Sequence, residues 1–125
     1  MQIVKTIKDY LRALESGNYE DMIKLFAKDA VVFSPLYGEM KAINFYTEVF
    51  KDTLRSKITW LNILRSRNPF IAAGHFRYEW VLKDGTPTYF ECVDIFQFAQ
   101  DGKIKQVSII YDTAKIRPVF EEIKK

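Results

Sequence analysis

Cysteine and histidine are almost missing from this chain of 125 residues, which has one of each. A lone Cys92 excludes an intramolecular disulfide and a zinc cluster built on cysteines. A lone His75 excludes a histidine metal cluster, and any catalytic triad would have to use it. No apolar run reaches the length of a membrane span. Lys5, Lys8 and Asp9 interrupt the opening segment, so no secretory signal pattern forms and a cytoplasmic location is expected. Charge of neither sign dominates: 19 Lys and Arg are interspersed with 16 Asp and Glu. No basic stripe interleaves with aromatic residues, which argues against a nucleic-acid surface. Linkers, repeats and low-complexity stretches are missing too, so residues 1–125 read as a single domain.

What the chain has in quantity is aromatic residues, with 10 Phe, 7 Tyr and 2 Trp. Such a load suits a large concave sheet or an apolar cavity, and a bulky core would look the same. The first segment carries Ile3, Val4, Ile7, Tyr10, Leu11 and Leu14 at spacings of three and four, which predicts an amphipathic helix ended by Gly17. Asn18 is placed to cap a second helix with Asp21 at its N3 position, and Met22, Ile23, Leu25 and Phe26 would form its buried side. Ala30 to Phe33 is a short β-rich run stopped by Ser34-Pro35 and a turn near Gly38. Ile43, Tyr46, Val49 and Phe50 mark a third helix from about Lys41.

Beyond Ser56 the periodicity changes to that of strands over residues 57–65, 70–82, 88–99 and 104–112. Asp84-Gly85 and Asp101-Gly102 lie between the last three and signal hairpins. A weak helical pattern follows from Ala114, with Lys124-Lys125 read as a solvated helix end. Helices first and a meander after give an α+β domain with helices on one face of the sheet.

One residue breaks its strand's pattern. Phe90, Cys92, Asp94, Phe96 and Phe98 share one face at period two, and Asp94 puts a carboxylate in the middle of it. A carboxylate there must be paired, hydrogen-bonded or protonated. It is either a satisfied structural acid or the working group of a pocket. Phe76, Tyr78 and Trp80, with Val107, Ile109 and Tyr111, extend the same aromatic face. Cys92 reads there as a small buried hydrophobe. His75, Arg77 and Glu79 fall on the outer phase, so His75 is given a surface or interface role. Asp112 and Arg117 could close a pocket mouth or pair with each other. On the outer face Tyr89, Val93, Ile95 and Ile110 form an apolar area, which predicts a homodimer through that face.

The run from Tyr10 through Gly17-Asn18 and Phe26 to Asp29-Ala30, and the run Val93-Asp94-Ile95-Phe96-Gln97-Phe98 with Asp101-Gly102, resemble NTF2-like domains. Nearest in style are the SnoaL-like polyketide cyclases and the ketosteroid isomerases, and the likeness covers essentially the whole chain. The resemblance implies a cone-shaped α+β barrel, a curved antiparallel sheet packed on about three N-terminal helices, with a deep apolar pocket. In the isomerases a tyrosine of the first helix and a protonated aspartic acid form an oxyanion hole. Tyr10 and Asp94 stand at those positions, and Tyr46 at that of a supporting tyrosine. The isomerases carry their general base just before a proline, where this chain has Ser34 before Pro35. In the cyclases an aspartate matching Asp94 is the acid/base of an aldol closure.

Together these readings predict a pocket for a small apolar molecule, with Asp94 and Tyr10 as catalytic residues. Tyr46, Ser34, Tyr78, Trp80, Phe96 and Tyr111 are the expected ligand-binding residues. No metal or organic cofactor is implied. The chemistry would be proton transfer of isomerase or cyclase type on a carbonyl compound. The alternative is a ligand-binding or protein-interaction module of the same fold without turnover, favoured by the missing carboxylate at position 34.

Overall fold

Ile3, Ile7, Tyr10, Leu11, Ala13 and Leu14 lie along one stripe of the first helix, α1 (Ile3–Ser16), and all six are buried. A computed structural model describes residues 2–125. Gly17 ends α1 at φ 69°, a left-handed conformation glycine adopts without a Cβ clash, and its N–H closes on Ala13. The Asn18 side chain then accepts the Asp21 amide at 3.0 Å and starts α2 (Tyr19–Ile23). This second helix is shorter than its apolar spacing suggests. Leu25 and Phe26 lie beyond it, and Phe26 opens β1 (Phe26–Ser34) instead.

The chain next forms a strand that the sequence does not announce, β2 (Gly38–Lys41), which pairs antiparallel with Val31–Ser34. Its residues lack alternation, and the pairing partner, not local preference, makes them extended. The third helix, α3 (Ala42–Lys51), buries Ala42, Phe45, Tyr46 and Val49, while Ile43 faces outward. Four long strands follow: β3 (Thr53–Arg65), β4 (Ile71–Leu82), β5 (Pro87–Phe98) and β6 (Ile104–Ile110). Both Asp-Gly pairs sit at hairpins, with Gly85 and Gly102 at φ 91° and 87°. A last helix, α4 (Ile116–Ile123), closes the described chain.

The six strands make one curved, unclosed sheet in the order β2-β1-β6-β5-β4-β3. Neighbours are antiparallel except β1 and β6, which run parallel, so the sheet is mixed where an all-antiparallel one was expected. The inner phase is as the alternation predicts. Phe76, Tyr78, Trp80 and Leu82 on β4 are buried, as are Phe90, Cys92, Asp94, Phe96 and Phe98 on β5. Gly74 stands opposite Asp94 in the β4–β5 register, and a Cβ there would lie 3.3 Å from the Ile7 Cγ2 methyl. That missing side chain lets α1 lie close over the sheet beside Asp94. No helix among the described residues is long and apolar enough to cross a membrane.

Candidate functional site

Asp94 lies in the middle of β5 with 1% of its surface exposed. Its Oδ2 accepts the hydroxyl of Tyr10 at 3.0 Å, and its Oδ1 accepts the Cys92 thiol at 3.2 Å. The Tyr10 hydroxyl is itself 2.7 Å from that of Tyr46. Because Tyr10 is the Tyr46 hydroxyl's only hydrogen-bond partner among the described residues, the chain of donors has a direction. Tyr46 donates to Tyr10 and Tyr10 donates to Asp94, which leaves no buried hydroxyl hydrogen unused. A neutral Asp94 then carries its own proton on Oδ1, the oxygen that Tyr10 does not bond.

Burial pushes the Asp94 carboxyl up to about 7, with the hydrogen bonds from Cys92 and Tyr10 pulling the other way. Burial is also the main cause that drives the Tyr10 hydroxyl well above its ordinary value, reinforced by the neighbouring Asp94 and Tyr46. The Cys92 thiol is raised for the same reasons, burial first and then Asp94. The Tyr46 hydroxyl is raised too, by burial first and then by Asp94, so all three partners stay protonated and Asp94 is the group that titrates near neutrality.

The Asp94 carboxyl faces a cavity of about 40 Å³. Phe76, Tyr78 and Trp80 of β4 and Phe90 and Cys92 of β5 form one wall, and Tyr10 and Leu14 of α1 another. Phe45 and Val49 of α3 and the partly exposed Ser34, Tyr37, Ile109 and Tyr111 complete the lining. No lysine, arginine or histidine lines it. Tyr78 and Trp80 turn their rings the same way, 14° from parallel, and Phe90 stacks on Tyr111 at 4.2 Å.

Of the sequence-predicted residues, Tyr10, Ser34, Tyr78, Trp80, Asp94 and Tyr111 meet on this lining. Tyr46 and Phe96 do not line it. Both are fully buried behind Tyr10, and the Phe96 ring packs edge-on against the Tyr10 ring at 4.9 Å. The Ser34 hydroxyl is engaged in the turn, accepting the amides of Leu36 and Tyr37 at 3.3 and 3.1 Å. Tyr78 meets the Ser56 hydroxyl at 3.2 Å, and the Trp80 indole donates to Thr53 at 2.7 Å. His75 sits on the outer face, 3.1 Å from Asn62 and 3.7 Å from Glu91. Arg117 bonds the Pro35 carbonyl at 2.9 Å, and Asp112 accepts the Ala114 amide, so these two do not pair with each other.

A second buried acid escaped the sequence reading. Asp52, just after α3, is wholly buried and accepts the Tyr37 hydroxyl at 2.7 Å. Lys83 lies 3.3 Å from one of its oxygens and Lys124 contacts the other, so Lys124 is no free helix end. Burial alone would raise the Asp52 pKa, but the bonds from Lys124, Tyr37 and Lys83 outweigh it and hold it below the usual value. Nothing local in the sequence flags this cluster, because its members come from four separate segments.

The α+β architecture, a curved sheet packed on helices, is that of the NTF2-like superfamily. The sequence profile of the SnoaL-like domain matches residues 7–107, and the chain belongs to that family. No curated protein sequence matches it. Among solved structures, it is similar to an NTF2-like protein of unknown function from Exiguobacterium sp. 255-15, at TM-score 0.73 and 20% identity, over 86% of this chain and 98% of that one. SalBIII, an epoxide hydrolase/cyclase-like enzyme in pyran ring formation in the polyether salinomycin, superposes at 0.76 with 15% identity, over 89% and 91%. A hypothetical protein with a ketosteroid isomerase-like fold from Catenulispora acidiphila DSM 44928, in complex with trimethylamine, superposes at 0.77 with 14% identity, over 90% and 88%. At these identities the likeness is one of fold.

Proposed function

We propose that the protein binds a small apolar carbonyl compound in the cavity under Asp94 and moves a proton on it, as isomerases and cyclases do. The observation that carries this reading is a carboxyl 1% exposed, poised at about 7 and facing an aromatic cavity. A group with that value both gives and takes a proton near neutral pH. Asp94 is the one carboxyl on the lining, so the same oxygen pair removes the proton and returns it. The Tyr10 hydroxyl is committed to Asp94, so its part is to steady the carboxylate when it forms. The relatives that act as a cyclase-like enzyme or hold trimethylamine support a small-molecule cavity in this fold.

The test is exchange of α-hydrogens for deuterium in small ketones and aryl ketones, followed by proton NMR. Exchange in the wild type that disappears in Asp94→Asn, while calorimetry still detects ligand binding, supports the reading. Binding without exchange across the panel leaves the non-catalytic pocket module, and exchange undiminished in Asp94→Asn removes Asp94 from the mechanism.

The same proposal includes a homodimer formed through the outer sheet face. Tyr89 and Ile110 are 64% and 54% exposed there, and Val93 pairs directly with Ile110 across the β5–β6 ladder. With half-buried Ile95 they give the side of the sheet away from the cavity apolar surface, interrupted by the exposed Glu91 between Tyr89 and Val93. A twofold axis through that surface would cover it on both copies.

A further inference from the structure

We propose that the cavity is a cage for a small alkylammonium cation, with the Asp94 carboxylate as its counter-ion and the rings of Tyr78, Trp80, Phe90 and Tyr111 as its walls. This rests on the reading that the cavity is a ligand site with Asp94 at its floor; it names a second class of ligand for that site, which competes with the carbonyl compound and requires no turnover.

Charge is the first argument. Asp94 is buried with no cation against it: Tyr10 and Cys92 bond it directly, and Tyr46 stands one hydroxyl further on. The other titratable groups that face it across the cavity are Tyr78 of β4, Tyr111 after β6 and Tyr37 beside α3. None of these is positive. Lys124 and Lys83 are turned to Asp52, and Arg117 to the Pro35 carbonyl. A positive charge beside a buried carboxylate stabilises its ionised form, and no side chain of the lining supplies one.

The walls are the second argument. Aromatic faces attract a cation within about 6 Å of the ring centre, and a ring of them recognises alkylammonium groups that cannot donate several hydrogen bonds. This protein already uses that contact on its surface, where Arg12 lies 5.2 Å over Trp60 and Lys124 lies 5.4 Å over Tyr37. Size is the third. A cavity of about 40 Å³ has room for a headgroup of a few heavy atoms.

Occupation by a cation and protonation of Asp94 then exclude each other. With the carboxyl poised at about 7, affinity for a permanently charged probe rises up to tenfold per pH unit below that value and levels off above it. Binding near neutrality also releases a fraction of a proton.

The experiment is titration calorimetry with tetramethylammonium, its neutral counterpart tert-butanol, and phenol, each between pH 5 and 8.5. The inference expects tetramethylammonium to bind at least tenfold tighter than tert-butanol at pH 8, with the advantage shrinking toward pH 5. Asp94→Asn should abolish the advantage and leave phenol binding in place, and Tyr78→Leu should weaken the cation several-fold more than tert-butanol. Equal affinities, or cation binding independent of pH, overturn the cage, and these wild-type measurements need no variant to fold. Phenol binding with no tetramethylammonium binding overturns the cage and leaves the pocket reading standing. Failure of all three probes overturns both.

Discussion

Tyr37 donates its phenolic hydrogen to the Asp52 carboxylate across 2.7 Å, while its ring lines the cavity. Lys124 contacts the same carboxylate from beyond α4, and the Phe120 ring packs on Tyr37 at 4.9 Å. The pair thus ties the end of the described chain to the pocket wall. Asp52→Ala should destabilise the protein by about 1–3 kcal/mol in urea denaturation, because it leaves the half-buried Tyr37 hydroxyl and two lysines without their acceptor. Lys124→Ala should cost less, roughly 1 kcal/mol or below, since its ammonium is partly solvated. Unchanged midpoints in both variants would mean the tie contributes nothing.

The two buried acids should give stability opposite slopes with pH. Asp52 is held below its ordinary value of 3.8, so its contribution is present above that pH and is lost as pH falls through its lower folded value. Asp94 is raised from 3.8 to about 7. Between those values only the folded state keeps the Asp94 proton, so each pH unit upward removes about 1.4 kcal/mol, up to about 4 kcal/mol in all. Above 7 the loss is complete. Urea denaturation at steps from pH 4 to 8 should show this decline in the wild type and flatten it in Asp94→Asn. Parallel declines in the two proteins would take Asp94 out of the account.

The direction of the hydroxyl chain separates two conservative variants. Tyr10→Phe strands both the Tyr46 hydroxyl and one Asp94 oxygen, at about 1–3 kcal/mol, and removes a bond that favours the ionised acid. Carboxyl NMR should then find Asp94 titrating above the wild-type value. Tyr46→Phe removes only the end of the chain, costs roughly 1 kcal/mol, and should move Asp94 less. Equal shifts in the two variants would contradict the order Tyr46 to Tyr10 to Asp94.

Cys92 is 3% exposed, and burial together with Asp94 raises its thiol far above the usual value. At pH 8 it should react with iodoacetamide far more slowly in the native protein than in urea, as followed by mass spectrometry. Rapid native labelling would mean that the cavity admits the reagent and that the thiol ionises readily.

Ile110→Lys on the outer face should yield a monomer by light scattering, with the far-ultraviolet dichroism of the wild type. A wild type that is itself monomeric at high concentration would remove the dimer from the proposal.

Much of the cavity could be read from alternation alone. Asp94 stands out because its neighbours at two and four positions are Phe90, Cys92, Phe96 and Phe98, and the phase of one strand fixes which way it points. Tyr10 followed from helical spacing and a family resemblance. What alternation cannot encode is pairing between distant segments. Gly38–Lys41 is a strand only because β1 lies beside it, and the parallel β1–β6 contact leaves no mark on either segment's own pattern. The Asp52 cluster was hidden for the same reason, since a charged residue after a helix looks like ordinary solvent-facing sequence. Period and face say which layer Tyr46 and Phe96 join and not their depth within it, and both lie behind the lining.

The parallel β1–β6 contact also bears on how the molecule is made. Val32 waits for Val107, about 75 residues later, and Tyr10 waits for Asp94, 84 residues on. At a synthesis rate of about 5–20 residues per second that interval is several seconds. During it α1 and β1 lack the β5 and β6 partners that cover them in the finished fold. The nascent chain therefore passes through a stage in which a chaperone, or a second nascent copy, has a surface to grip that the finished protein never displays.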